Sequence, residues 1–205
     1  MRYSMAIDID RCTGCNACAV ACKVDNNLPN SIWWNRILTV GGESMDTPKG
    51  TFPNLHMKFL PVNCQHCDNP PCVKACPVKA TYKREEDGVI VQDYDKCIGC
   101  RMCMVACPYN ARSFNWSKPD YAIEVPMGDR NVTPHQYNAV EKCTFCSHRL
   151  AQDLQPACID TCPNRARFFG DLDDPNSDVS KAIQGRNYVK LLEEKGTMPS
   201  VFYLT

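Results

Sequence analysis

No segment of the 205-residue chain approaches the roughly 18 successive apolar residues that a membrane-spanning helix needs, which points to a soluble or peripheral protein. A secretion signal is missing as well. Met1-Arg2-Tyr3-Ser4-Met5 leads straight into Ile7-Asp8-Ile9-Asp10, without the apolar core of roughly 7–15 residues such a signal carries, so no export address of its own is expected. Net charge is absent, because 23 Lys and Arg offset 23 Asp and Glu. No grouping of acid, base and nucleophile stands out as a catalytic constellation. Nor does any cysteine stand alone: all sixteen are bunched, four at a time.

Group one is Cys12, Cys15, Cys18 and Cys22, spaced C-x2-C-x2-C-x3-C. Group three, Cys97, Cys100, Cys103 and Cys107, repeats that spacing and is followed by Pro108. In group two, Cys64, Cys67, Cys72 and Cys76, the stretch Asp68-Asn69-Pro70-Pro71 widens the second gap to four residues. Group four is stretched further, with eleven residues between Cys146 and Cys158 in the series Cys143, Cys146, Cys158 and Cys162.

This spacing suits a [4Fe-4S] cubane. A tight C-x2-C-x2-C loop wraps three iron corners and turns its backbone N–H groups toward the sulfides. The fourth cysteine behaves differently. In Cys18-Ala19-Val20-Ala21-Cys22 and Cys103-Met104-Val105-Ala106-Cys107 the intervening residues read as a helical turn, which carries the second thiol toward another cluster. In two-cluster ferredoxins the fourth cysteine does ligate the other cluster, so four groups imply two pairs exchanging fourth ligands. Structural zinc takes two C-x2-C pairs and has no use for the regular third and fourth cysteines. Disulfide scaffolds are normally shorter, below about 80 residues, and space their cysteines irregularly. Each oxidised cluster with its thiolates carries about −2, so four add roughly −8 that the formal count hides. Offsetting charge is expected from Lys23, Lys74, Lys79, Arg101, Lys142, Arg149, Arg165 and Arg167, all near cysteines, with a solvated basic rim as the alternative for any one of them.

An internal repeat of the form C-P-x-x-A-[R/T] runs through Cys76 to Thr81, Cys107 to Arg112 and Cys162 to Arg167, each copy continuing into a candidate strand. Group one departs from it, with Lys23 in the proline position. Further strands are expected over Met5 to Asp10, Phe59 to Asn63 and Val89 to Asp93, and Asp87-Gly88 signals a hairpin between residues 80–84 and 89–93. Residues 26–58 read as a hairpin or excursion; Trp33 and Trp34 there suit either burial against the core or a partner interface. Residues 115–141 read as a surface insertion. His56, His66, His135 and His148 are expected to be surface or supporting residues rather than ligands, since cysteines fill every corner. In the tail, Ser177 or Asp178 is expected to cap a short helix through Ile183, and Val201 to Leu204 reads as a strand or a strap across a partner.

Over nearly its whole length the sequence resembles the four-cluster iron–sulfur subunits of molybdopterin oxidoreductases of the dimethyl sulfoxide reductase family. The resemblance rests on Asp10 to Cys15, Cys64 to Cys72, Cys97-Ile98-Gly99-Cys100, Lys142 to Arg149 and Gly170 to Pro175. The tail and Phe202-Tyr203-Leu204 are most similar to subunits of polysulfide, thiosulfate, tetrathionate and arsenate respiratory reductases. The resemblance implies a ligand map. Cluster 1 is held by Cys12, Cys15, Cys18 and Cys162, and cluster 2 by Cys22, Cys143, Cys146 and Cys158. Cluster 3 takes Cys64, Cys67, Cys72 and Cys107, and cluster 4 takes Cys76, Cys97, Cys100 and Cys103.

The expected fold class is α+β, a duplicated bacterial-ferredoxin-like core of two pseudo-symmetric two-cluster modules. Residues 1–25 with 141–171 form the first module and 59–115 the second, with insertions at 26–58 and 116–140 and a partner-contacting tail at 172–205. The implied function is a non-catalytic electron relay between a quinol or cytochrome donor and a large catalytic subunit that carries the molybdenum bis-pterin cofactor. Cluster 1 would lie nearest that subunit, and cluster 4 would face a membrane quinol-oxidising subunit or a cytochrome; no nucleic acid is expected. The alternatives are a free-standing polyferredoxin carrier, or the same relay serving a formate dehydrogenase or hydrogenase. A periplasmic location, reached in company with a signal-bearing partner, is expected, with the cytoplasm as the alternative.

Overall fold

The computed structural model describes residues 1–123 and 125–205. Along the chain come β1 (Tyr3–Asp8), α1 (Ala17–Asp25), β2 (Arg36–Val40), β3 (Lys49–Thr51), β4 (Asn54–His56), β5 (Lys58–Val62), α2 (Pro71–Lys74), β6 (Thr81–Lys83) and β7 (Ile90–Gln92). They are followed by α3 (Met102–Val105), β8 (Ser113–Phe114), β9 (Val140–Glu141), α4 (Ser147–Leu150), α5 (Ala157–Asp160), β10 (Arg167–Asp171), α6 (Asp178–Ile183), β11 (Tyr188–Val189) and β12 (Val201–Leu204). Most elements are short because the chain breaks off at every cysteine loop. Among the described residues no helix is long and apolar enough to cross a membrane.

The largest sheet has the order β10-β1-β12-β11, with β1 antiparallel to β10 and parallel to β12. Both of its faces are covered: Met5, Ile7, Val201 and Tyr203 join one apolar cluster and Ala6 and Leu204 another, all fully buried. Two-stranded sheets make up the rest, among them the β2–β5 ribbon, which pairs the first insertion with the strand leading to Cys64, the β3–β4 hairpin of that insertion and the β6–β7 hairpin turned at Asp87-Gly88. All three C-P-x-x-A-[R/T] copies run into strands, namely β6, β8 and β10. Where Lys23 replaces the proline after Cys22, α1 continues to Asp25. Ser177 caps α6, its hydroxyl accepting the Ser180 N–H. Of the paired tryptophans, Trp34 is buried, whereas Trp33 is partly exposed under the Lys23 ammonium, 4.5 Å from the ring centroid.

The C-terminal segment binds distant parts of the chain together. The N–H groups of Asp68 and Asn69 donate to the carbonyls of Met198 and Thr197, and Ser200 N–H donates to Gln65 O. On the other side Met5 N–H donates to Ser200 O. The Tyr203 hydroxyl donates to Pro61 O at 2.9 Å and accepts from Gln65 Nε2 at 3.3 Å. Tyr203→Phe removes the side-chain donor to Pro61 O and leaves Gln65 Nε2 with Asn63 O alone, at a cost of about 1–3 kcal/mol. For a protein of this size the apparent unfolding temperature is expected to fall by about 2–4 °C per kcal/mol lost. Thermal loss of the cluster absorbance measures it, with Tyr188→Phe at an exposed site as the unshifted control.

Candidate metal centres

Two glycines show why the cysteine loops turn as they do. Gly14 and Gly99, each just before a cysteine in groups one and three, have φ of 69° and 70°. A Cβ would lie 2.4 Å from the Phe59 ring at Gly14 and 2.3 Å from the Asn138 side chain at Gly99. Only glycine combines that left-handed backbone with so close an approach.

All sixteen cysteines are free thiols, so none is spent in a disulfide. Cys12, Cys15, Cys18 and Cys162 line one hollow, and Cys64, Cys67, Cys72 and Cys107 line another. Cys22 is coupled electrostatically to Cys143, Cys146 and Cys158, and the Asn26 side-chain amide donates to the sulfurs of both Cys22 and Cys146 at 3.7 Å. Cys103 is coupled to Cys97 and Cys76, and Cys100 lies exposed in the same loop. Coupling also runs from set to set: Cys158 to Cys18, Cys143 to Cys64, and Cys103 to Cys72.

These thiols are not arranged for a single ion. Among the described residues no three His, Cys, Asp or Glu close in far enough to hold one metal, as structural zinc requires. Four thiols around a hollow fit a larger group with a metal at each corner, and the surroundings match thiolate sulfur. Phe145 N–H points at Cys143 Sγ at 3.5 Å and Ala166 N–H at Cys162 Sγ at 3.3 Å. Burial, aided by neighbouring thiols, pushes the pKa of Cys67 and of Cys143 up to about 12. Buried thiols this reluctant to ionise become ligands when a bound metal supplies the positive charge.

The expected basic residues divide sharply. Lys23 spends its ammonium on the carbonyls of Pro29, Asn30 and Ile32, Lys74 on Asn69, and Arg149 on Asp25 and Asp160. Arg101 lies over the rings of Phe114 and Trp116. Lys142 and Arg167 are buried among the thiols, and so is Arg112, which position next to a cysteine does not single out. Its signal was the repeat, where Arg112 and Arg167 hold the same place. For Arg167 burial works against the charge, but the thiols of Cys158 and Cys18 outweigh it and raise the pKa. The same contest, with Cys72 and Cys103 opposing burial, raises that of Arg112.

Of the histidines, His66, His135 and His148 are supporting residues rather than free surface ones, His148 Nε2 meeting Asp25 Oδ2 at 2.8 Å. His66 is buried, stacked on Phe145 with centroids 3.7 Å apart, and its Nδ1 accepts the Ile90 N–H at 3.1 Å. His135 bridges Glu141 Oε1 at 2.7 Å and the backbone carbonyl of Asn26 at 2.9 Å, fixing the end of the helix from which the Asn26 side-chain amide meets Cys22 and Cys146. Nothing in the sequence marks that bridge, because its partners lie far apart along the chain.

Comparison with known proteins agrees with this chemistry. The family model described as a 4Fe-4S dicluster domain matches residues 55–122 and 129–172, and that of a 4Fe-4S binding domain matches residues 9–25. A Halobacterium salinarum chain named for the iron-sulfur component of dimethyl sulfoxide reductase is 52% identical, over 98% of this chain and 78% of its own length. The arsenate respiratory reductase iron-sulfur subunit of Shewanella sp. is 40% identical over 100% of this chain and 96% of its own. A tetrathionate reductase subunit of Salmonella typhimurium is 39% identical over 99% and 72% respectively. The chain thus belongs to the family of electron-transferring, non-catalytic iron–sulfur subunits of dimethyl sulfoxide reductase-type respiratory reductases.

Proposed function

We propose that this chain is the relay of a respiratory reductase acting on a sulfur compound or arsenate, holding four [4Fe-4S] clusters in series. When bound, such clusters supply one-electron redox steps. The ligands proposed are Cys12, Cys15, Cys18 and Cys162 for cluster 1 and Cys22, Cys143, Cys146 and Cys158 for cluster 2. Cluster 3 falls to Cys64, Cys67, Cys72 and Cys107, and cluster 4 to Cys76, Cys97, Cys100 and Cys103. On this reading two pseudo-symmetric modules each exchange fourth ligands internally.

The observation that carries the reading is where the exposed and the buried cysteines fall among sets that neighbour one another in order. Each set is linked to the next, and the two exposed cysteines, Cys15 and Cys100, belong to the first and last sets. Cys22, Cys143, Cys146 and Cys158 are all buried, so water is kept from the middle of the row. A relay needs this arrangement, with insulated intermediates and two exposed ports. Around Cys100 stand Ile98, Met102, Val105 and Trp116, all exposed, with Val105 85% accessible. An apolar collar of that kind fits a docked partner better than a freely diffusing carrier. The donor, a membrane quinol-oxidising subunit or a cytochrome, is assigned to this end. A large catalytic subunit carrying the molybdenum bis-pterin cofactor is assigned to the Cys15 end. The exposed part of the tail, Tyr188, Val189, Leu192 and Met198, is available for partner contact. A periplasmic site, reached with a signal-bearing partner, goes with this assignment, the cytoplasm being the alternative; fractionation of native cells decides between them.

Anaerobically matured protein should contain about sixteen irons and about sixteen acid-labile sulfides per chain, the stoichiometry of four cubanes. Half that content in fully loaded protein sinks the reading. Cys162→Ser should disturb the EPR signal of the cluster held by Cys12, Cys15 and Cys18 and spare the one held by Cys143, Cys146 and Cys158; the reverse pattern overturns the exchange. Val105→Glu places a charge in the collar, and loss of roughly 2 kcal/mol or more of docking energy is expected if that site is central to the interface. Reduction through the native donor should then slow at least tenfold at subsaturating donor, about 1.4 kcal/mol or more, while chemical reduction by dithionite proceeds as in the parent.

A further inference from the structure

Among the described residues, three Lys or Arg side chains are buried: Arg112, Lys142 and Arg167, at 4%, 1% and 4% exposure. None of the three forms an ion pair with a carboxylate among the described residues, although fourteen salt bridges occur elsewhere. Their hydrogen bonds go to neutral groups. Arg167 donates to Asn35 Oδ1 at 3.1 Å and Met5 Sδ at 3.6 Å, and Lys142 to the carbonyls of Ile90 and Cys143. Arg112 Nη1 donates to Thr81 Oγ1 and Gln92 Oε1, both at 3.1 Å, while its Nη2 has no hydrogen-bond partner among the described residues. A buried cation without an anion is costly, so each of these requires a counter-charge that the side chains alone do not provide.

The positions of the three identify that counter-charge. Arg167 lines the hollow of Cys12, Cys15, Cys18 and Cys162, set 1, and lies within electrostatic reach of Cys158 of set 2. Lys142, bonded to the Cys143 carbonyl of set 2, reaches Cys64 and Cys72 of set 3, with Arg112 the nearest other cation. Arg112 lines the hollow of Cys64, Cys67, Cys72 and Cys107, set 3, and reaches Cys103 of set 4. There are thus three junctions in the row and one buried cation at each. The other nearby buried charge, Glu141, is turned away toward His135 and Asn115.

We infer that Arg167, Lys142 and Arg112 are shared counter-charges, one per gap, each holding up the reduction potentials of the two clusters beside it. The inference rests on the four-cluster reading above. A positive charge near a cluster favours its reduced, more negative form, and one placed between two clusters favours both. Because the cation reaches both sides, an electron crossing the gap does not leave its counter-charge behind. The steps along the row are kept level by charges that do not move. The internal repeat supplies two of these cations from the same position, and Thr81, the third copy's residue at that position, is an acceptor for Arg112. One arginine therefore serves the gap that two repeats share.

The test is an EPR-monitored redox titration of the cluster-loaded complex, resolving each centre, on Arg167→Gln, Lys142→Met and Arg112→Gln. Each variant is first shown to hold the parent's iron content and four signals, so that failure of the four-cluster reading is detected in the parent, separately from failure of this inference. The expected result is pairwise: clusters 1 and 2 fall for Arg167→Gln, 2 and 3 for Lys142→Met, and 3 and 4 for Arg112→Gln. Each flanking cluster should lose at least tenfold in its reduction equilibrium constant, about 59 mV for a one-electron couple, with distant clusters unshifted. Arg167→Lys and Arg112→Lys keep the charge and should largely restore the parent potentials. Lys74→Gln, which removes an exposed charge near the same cysteines, should change little. Should Lys142→Met fail to fill, the two arginine positions carry the test. Unchanged potentials, a shift confined to one cluster, or equal shifts in the lysine and glutamine variants overturn the inference.

Discussion

Charge buried in a low-dielectric interior has to be neutralised, and this fold is arranged around that requirement. Nine of the sixteen cysteines are buried. As thiols they are ordinary core residues, but as thiolates they would repel one another and lose their hydration. Iron resolves the conflict, and the chain supplies what iron leaves over: N–H groups aimed at sulfur, the Asn26 amide, and cations with no carboxylate to satisfy them. Without metal the cysteines that run through the apolar clusters surround hollows that nothing in the chain fills. Folding and metal binding are coupled in such a protein, since the unfolded chain has no preformed site.

The metal chemistry was legible in the sequence because it is local. A C-x2-C-x2-C loop is defined by neighbours, as is the hairpin at Asp87-Gly88, and both read directly from residue order. Strand positions read almost as well, since β1, β5 and β7 are short β-prone runs beside cysteine loops. Long-range contacts were harder to see. That Val201 to Leu204 lie beside β1 in the parallel sense could not be derived from either segment alone, and periodicity does not distinguish a buried strand from a strap. The role of His135 depends on Asn26, Glu141 and a turn between them. Arg112 was hidden for another reason: adjacency to a cysteine is a weak guide to which cation faces sulfur. Lys23, Lys74 and Arg149 lie within three residues of a cysteine and are occupied elsewhere, whereas Arg112 and Arg167, each five residues past the cysteine of its repeat, face inward.

Position in the repeat proved a better guide than proximity. The residue that follows C-P-x-x-A opens its strand or stands just before it, and at Arg112 and Arg167 the side chain lies among the thiols. Two copies place arginine there and the third places threonine. The pattern is economical, because a second arginine in the pair of groups two and three would add a buried charge at a junction already neutralised. Asn35, from the first insertion, accepts from Arg167 as Thr81 does from Arg112, although group one lacks the repeat. An equivalent interaction has thus been supplied by unrelated sequence, which argues that the acceptor orienting the arginine matters more than its origin.

The C-terminal segment then explains how the spacing between sets is held. Electron transfer along a row is sensitive to separation, and loops as short as these have little internal rigidity. Residues 197–203 bond on one side to the loop carrying Cys64 and Cys67 and on the other to β1, which leads into Cys12. The first and second halves of the cysteine pattern are therefore tied by the backbone of one segment, buried except at Met198, independently of the clusters. Lys142 makes the complementary tie from within, its ammonium shared between Ile90 O of β7 and the Cys143 carbonyl. On the proposed reading, a charge that levels two neighbouring centres works only if both stay within its reach. The strand that closes the sheet and the cation in the middle gap therefore serve one requirement: the sets must not drift apart.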